Sequence, residues 1–287
     1  ISKTPEADAA AAADKADVIV AVVGINSTLE SEESSISVPG FHGGDRTSLD
    51  LPADQQKLLE ASKATGKPLV VINMSGSAIN LDWAKHNAAA IIQAWYPGEA
   101  GGLAVGRVVA GLANPAARLP VTFYKDTSQL PPIEEYAMKG RTYRYFEGKP
   151  VYGFGYGLSY TSFAYGPVKV TPAKGGSAKG VVIETSLTNT GKRAGDEVAQ
   201  VYLRFPDAPG TPRIALRGFQ RVSLAAGATR KLRFALSARD LGSVSPEGAN
   251  RVLAGRYEAF VGGGQPDSGL GGKASAFVIG KTTALAD

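Results

Sequence analysis

Cysteine is absent from the 287 residues, which excludes disulfides and thiolate metal sites. Histidine occurs twice, as His42 and His86. That is too few for a structural transition-metal site, and they are the only candidates for a triad base, while Met74-Ser75-Gly76-Ser77 is not a nucleophile elbow. No cofactor or metal is called for. No apolar run reaches the roughly 18 residues of a membrane-spanning helix, so no membrane span is predicted. The opening Ile1-Ser2-Lys3-Thr4 is neither a Met start nor a signal peptide and places the natural N-terminus upstream. A cysteine-free chain is compatible with export, and a periplasmic or extracellular location is the expectation. Charged residues are 20% and hydrophobic residues 44% of the chain, which excludes a disordered polyelectrolyte and is enough to fill ordinary cores.

What is abundant is turn chemistry, with 35 Gly and 17 Pro, the mark of many short elements joined by tight loops. The net charge of +5 is uneven: residues 1–125 hold 10 Lys and Arg against 13 Asp and Glu, and the rest hold 21 against 13. Sheet faces kept soluble by Lys and Arg account for the excess. No basic patch is interleaved with aromatics, so no nucleic-acid partner is predicted.

The first 125 residues alternate between strand and helix. Residues 5–16 are Ala-rich and predict a helix. Asp17 to Gly24 is a β-branched run stopping at Gly, the pattern of a strand buried on both faces. A loop of about 27 residues follows, long enough to suggest function, and a helix begins at Leu51-Pro52-Ala53-Asp54. Pro68–Asn73 and Ala89–Trp95 predict two further strands, with short helices over 80–86 and 98–112. This is the pattern of a parallel α/β sheet covered on both faces. Residues 126–160, rich in Pro, Gly and Tyr, form a connector. From 161 to 287 the period becomes two, and residues 181–187, 197–203, 230–236 and 257–261 predict strands of a fibronectin- or immunoglobulin-like sandwich.

Ligand sites of open parallel sheets lie at the carboxyl ends of strands. There the first strand feeds a loop with Glu30, Glu32 and Glu33. Carboxylates that converge raise one another's pKa, as a general acid requires; a solvated acidic loop is the alternative reading.

Several segments resemble glycoside hydrolase family 3. They are Glu30-Ser31-Glu32 with Gly43-Gly44-Asp45-Arg46-Thr47, Tyr96-Pro97-Gly98-Glu99-Ala100-Gly101-Gly102, and Arg118-Leu119-Pro120-Val121-Thr122-Phe123. Arg141-Thr142-Tyr143-Arg144-Tyr145-Phe146, Phe154-Gly155-Tyr156-Gly157-Leu158-Ser159-Tyr160, Asn189-Thr190-Gly191 and Leu216-Arg217-Gly218-Phe219 continue the series in the family's order. The resemblance implies the C-terminal portion of a retaining, exo-acting β-glucosidase or β-xylosidase: a partial α/β sandwich over 1–125 followed by a fibronectin type III-like sandwich. It also implies a missing N-terminal (β/α)8 barrel that carries the nucleophilic Asp, so that this chain alone is inactive, and a β-linked oligosaccharide or glycoside as substrate. By the family's motif the resemblance implies Glu32 as the general acid/base, with Glu30 and Glu33 as runners-up. Asp45 and Arg46 are expected to position the loop by ion pairing, and Phe41 and His42 to border a sugar subsite. The alternative is a non-catalytic carbohydrate-binding or interaction fragment.

Overall fold

The computed structural model describes residues 4–285. Ile1, Ser2 and Lys3 of the opening segment lie outside the described residues. The chain forms two compact units that interleave along the sequence. Of the described residues, one comprises 4–112, 122–133 and 148–152; the other comprises 113–121, 134–147 and 153–285. The connector over 126–160 is therefore shared between the two.

The first unit is α/β. Its elements are α1 (Pro5–Ala13), β1 (Ile19–Gly24), three two-residue strands β2 (Ser37–Val38), β3 (Phe41–His42) and β4 (Asp45–Arg46), α2 (Ala53–Ala64), β5 (Leu69–Met74), α3 (Asp82–Asn87), β6 (Ala90–Gln93) and α4 (Gly101–Val109). Strands β1, β5 and β6 pair in parallel in that order, with Ile19 opposite Leu69 and Ile72 opposite Ile92. α2 packs on β1, and α1 packs on α2. Leu59, Leu69, Val71, Ile79 and Phe123 form the most deeply buried apolar positions of this unit.

The expectation of a sheet covered on both faces is corrected at its edge strand β1. Side chains alternate across a strand. Ile19, Ala21 and Val23 are buried, but Val18, Val20 and Val22 on the other face are 45%, 44% and 59% exposed. The β-branched run encodes two apolar faces and β1 has one of them exposed, whereas β5 is covered on both, with Val71 0% and Ile72 5% exposed. The long loop after β1 also has more order than its composition suggests, because β2, β3 and β4 make a small antiparallel meander within it.

The second unit is a β-sandwich. Its elements are α5 (Thr142–Tyr145), β7 (Phe163–Tyr165), β8 (Lys169–Pro172), β9 (Gly180–Asn189), β10 (Gly195–Arg204), β11 (Ala215–Leu224), β12 (Thr229–Ser237), α6 (Ala238–Leu241), β13 (Ser243–Val244), β14 (Asn250–Val252), β15 (Gly255–Gly262), β16 (Gly272–Ile279) and β17 (Thr283–Ala284). One sheet runs β11-β10-β15-β16; the other runs β12-β9-β7, with β8 also on β9. The two-residue period explains the layers. On β12, Leu232, Phe234 and Leu236 point inward while Arg233, Ala235 and Ser237 face water. Val181, Ile183, Leu187, Val201, Leu203, Tyr257 and Val261 complete the core. Each such fully buried aliphatic side chain contributes about 1.5–3 kcal/mol.

Candidate functional site

The carboxyl end of β1 is fixed by a helix. Gln55 on α2 donates to the Gly24 carbonyl at 2.7 Å and accepts from the Gly24 amide at 2.6 Å. The chain then turns at Asn26, whose carboxamide accepts from the Thr28 and Leu29 amides at 3.0 and 3.2 Å. This delivers Glu30 to the end of the sheet.

Glu30 is half-buried and both of its carboxylate oxygens are occupied. Oε1 accepts from Ser77 Oγ at 2.9 Å and Oε2 accepts from the Tyr96 hydroxyl at 2.9 Å. Both donors come from turns after neighbouring parallel strands, Ser77 after β5 and Tyr96 after β6. Placing Tyr96 there has a conformational cost. Trp95 holds φ at +58°, a left-handed backbone that disfavours a bulky residue. Gly76 allows the close approach, since a Cβ at that position would sit 2.6 Å from the Tyr96 ring. Partial burial and then the bond to Glu30 raise the Tyr96 hydroxyl above the ordinary tyrosine range.

Arg46 ties the meander to the same point. Its Nη1 donates to Ser77 Oγ at 3.0 Å and to the Ala78 carbonyl at 2.7 Å, and Nη2 donates to the Ser48 carbonyl at 3.0 Å. Burial lowers the guanidinium's pKa, and the Glu30 carboxylate, followed by Asp50, works against that shift. Gly44 closes the loop on itself: its φ is +91°, and a Cβ there would lie 1.4 Å from the Ser31 carbonyl oxygen. Any side chain at residue 44 would push apart the backbone that carries the glutamates.

The sequence-derived residues are thus brought to one loop but into different surroundings. Glu32 is exposed, and its carboxylate has no hydrogen-bond partner among the described residues. Glu33 is exposed with a left-handed φ of +51°. His42 and Asp45 are exposed on β3 and β4. The expectation of an Asp45 contribution to loop positioning has no described contact behind it; Arg46 holds the loop through a hydroxyl and backbone carbonyls. Phe41, on β3, is 5% exposed, so its side chain is buried within this unit. Sequence reasoning missed Ser77 and Tyr96 as partners of Glu30. The strained residue before Tyr96 and the gap at Gly76 have no signature in composition or periodicity.

Chemically, the arrangement contains one carboxylate with a donor on each oxygen and, two residues on, one open to solvent. With Ser77 Oγ on one oxygen and the Tyr96 hydroxyl on the other, Glu30 is tied to two neighbouring turns and suits an anchor. No group of three or more His, Asp or Glu that could hold a metal occurs among the described residues.

The model of the glycosyl hydrolase family 3 C-terminal domain matches residues 2–160, and that of the fibronectin type III-like domain matches residues 197–265. A xylan 1,4-beta-xylosidase of Xylanibacter ruminicola is 45% identical over 248 residues, covering 86% of this chain and 28% of that protein. A periplasmic beta-glucosidase of Salmonella typhimurium is 33% identical over 276 residues, covering 91% of this chain and 35% of that protein. Among solved structures, beta-glucosidase 3B of Thermotoga neapolitana in complex with glucose superimposes with a TM-score of 0.82 at 26% identity, over 98% of this chain and 40% of that one. The beta-glucosidase of Bifidobacterium adolescentis gives 0.82 at 29% identity, over 97% and 41%. The chain therefore spans about a third of the length of these curated relatives.

Proposed function

The chain belongs to glycosyl hydrolase family 3 through that family's C-terminal domain, and from that premise we propose that it is the C-terminal portion of a retaining, exo-acting β-glycosidase that releases terminal β-D-glucosyl or β-D-xylosyl residues. Glu32 is the general acid/base and Glu30 the anchor of its loop. The nucleophilic Asp belongs to an N-terminal barrel outside this chain, so the chain alone does not turn over substrate.

One observation carries the division of roles: both oxygens of Glu30 are engaged by Ser77 and Tyr96, while Glu32 on the same loop is exposed and unengaged among the described residues. In a retaining double displacement the two carboxyl groups stand about 5–5.5 Å apart. In the first step the nucleophile bonds to the anomeric carbon, the glycosidic C–O bond breaks, and the Glu32 proton passes to the departing oxygen. In the second step Glu32, now a carboxylate, takes a proton from water as the water oxygen displaces the nucleophile. A proton donor that must reach a barrel-borne substrate has to extend from its own unit, and an exposed residue beyond a fixed anchor meets that need. The exposed row Val18, Val20 and Val22 supports an apolar contact between this sheet and the portion of the enzyme outside the chain.

The test is Glu32→Gln in the full-length enzyme. Activity on alkyl glucosides or xylosides should collapse, while activated aryl glycosides, whose leaving groups need no proton, should retain most of their first-step rate. Equal loss on both substrate types would remove Glu32 from the acid role.

A further inference from the structure

The β-sandwich carries a cluster of guanidinium groups that the glycosidase reading does not use. A cleft of about 230 Å³ is lined by Arg144, Arg217 and Arg239 together with Asn250, Ser243 and Leu285, and no Asp or Glu lines it. A neighbouring depression of about 380 Å³ shares Arg239, Asn250 and Leu285 and adds Lys179. The cations come from separate elements: Arg144 from α5, Arg217 from β11 and Arg239 from α6.

Arg217 is placed by an irregularity in its sheet. Val201 pairs with Gly218 and Tyr202 with Leu216, so Arg217 is the extra residue of a β-bulge. Bulges redirect a side chain out of the regular alternation. The guanidinium lies over the Phe205 ring at 5.2 Å and donates from Nη2 to the Gly242 carbonyl at 3.3 Å. Its Nε is buried with no acceptor, and so is the Nε of Arg144. A buried donor without an acceptor costs about 1–3 kcal/mol. Like charges add to that cost: burial and then Arg144 lower the Arg217 pKa, and only after them does Asp240 act the other way. Asp240 is committed elsewhere, because its Oδ2 accepts from the Ser237 amide and hydroxyl at 2.7 Å each. Three converging cations, two with unfilled donors, lack a counter-charge within the described residues that line the cleft.

We propose that this cleft is a binding site for an oxyanion-bearing ligand, in which Arg144 and Arg217 receive the charged group, Arg239 closes the rim, and the adjoining depression takes the ligand's polar remainder. A planar guanidinium presents a fork of donors suited to a carboxylate or phosphate. Carboxylate of an acidic sugar and a free inorganic oxyanion share this chemistry.

The experiment is an NMR titration of the Arg Nε–H resonances of the 287-residue chain with sodium glucuronate, inorganic phosphate and glucose, at ionic strength matched with sodium chloride. The Arg144 and Arg217 signals should move saturably with glucuronate or phosphate and not with glucose or chloride. Tighter binding of glucuronate than phosphate identifies the acidic sugar as the source; the reverse order identifies a free oxyanion. Arg217→Gln should weaken binding about tenfold or more. Arg239→Gln, an exposed position, should also weaken it in a chain that keeps its fold, while Arg233→Gln on the water-facing side of β12 should not. Shifts that track ionic strength alone, or affinity unchanged in both cleft variants, would overturn the proposal.

Discussion

At Glu30 a single carboxylate collects donors from two turns and faces the guanidinium that fastens the meander. Removing the hydroxyl in Tyr96→Phe should cost about 1 kcal/mol, the net worth of one hydrogen bond, measured by urea unfolding of the chain. In the full-length enzyme the same change should lower activity on activated and unactivated glycosides alike, because it loosens the loop without removing the proton donor. The pair Arg118–Glu197 sets a larger scale. Their side chains are 8% and 4% exposed at 2.9 Å, and Glu197 also accepts from the Tyr165 hydroxyl at 2.9 Å. Arg118→Ala leaves that carboxylate buried and unpaired and should cost about 3–5 kcal/mol.

Among the elements, parallel strands β1, β5 and β6 are legible in the sequence because each is a compact β-branched run between helix and loop signals. Strands β9, β10, β12 and β15 are legible from their two-residue period. β11 and β16 are not singled out, since apolar residues stand on the open face as well as the inner one and blur the two-residue alternation: β11 exposes Phe219 beside Arg221, and β16 exposes Ala274, Ala276 and Val278. The meander β2–β4 escapes notice because two-residue strands are held by loop hydrogen bonds and by Arg46, not by periodicity. Across β10 and β11, Asp196 accepts from Ser223 Oγ at 2.6 Å and from Arg221 Nε at 2.7 Å. The Ser223 hydrogen bond and then Arg221 hold its carboxyl below the ordinary aspartate range. A depressed folded-state value means the clasp's stabilisation is complete above the unfolded value near 3.8 and is lost as pH falls through the lower folded-state value. Asp196→Asn should therefore be less stable than the parent at neutral pH, with the difference shrinking in acid, as read from urea midpoints against pH.

For the whole molecule, the fold class and the series of family motifs are present in the sequence, and the glutamate loop is correctly located at the end of the first strand. The separation of Glu30 from Glu32 is not legible there, because it depends on Ser77 and Tyr96, which lie 47 and 66 residues away. Nor is the open face of β1, since an apolar run records that a face is to be covered without recording by what. Replacing Val20 and Val22, both exposed, with Ser should leave the melting temperature of this chain nearly unchanged, as surface substitutions do. The same pair should lower that of the full-length enzyme.

The most direct test of the account is mass spectrometry of the full-length Glu32→Gln enzyme quenched during turnover of an activated aryl β-glucoside or β-xyloside. The account predicts that a covalent glycosyl-enzyme accumulates, because water lacks its base, and that azide, which needs none, discharges it. Absence of that species, with azide giving no acceleration, would contradict the assignment of Glu32 as the acid/base.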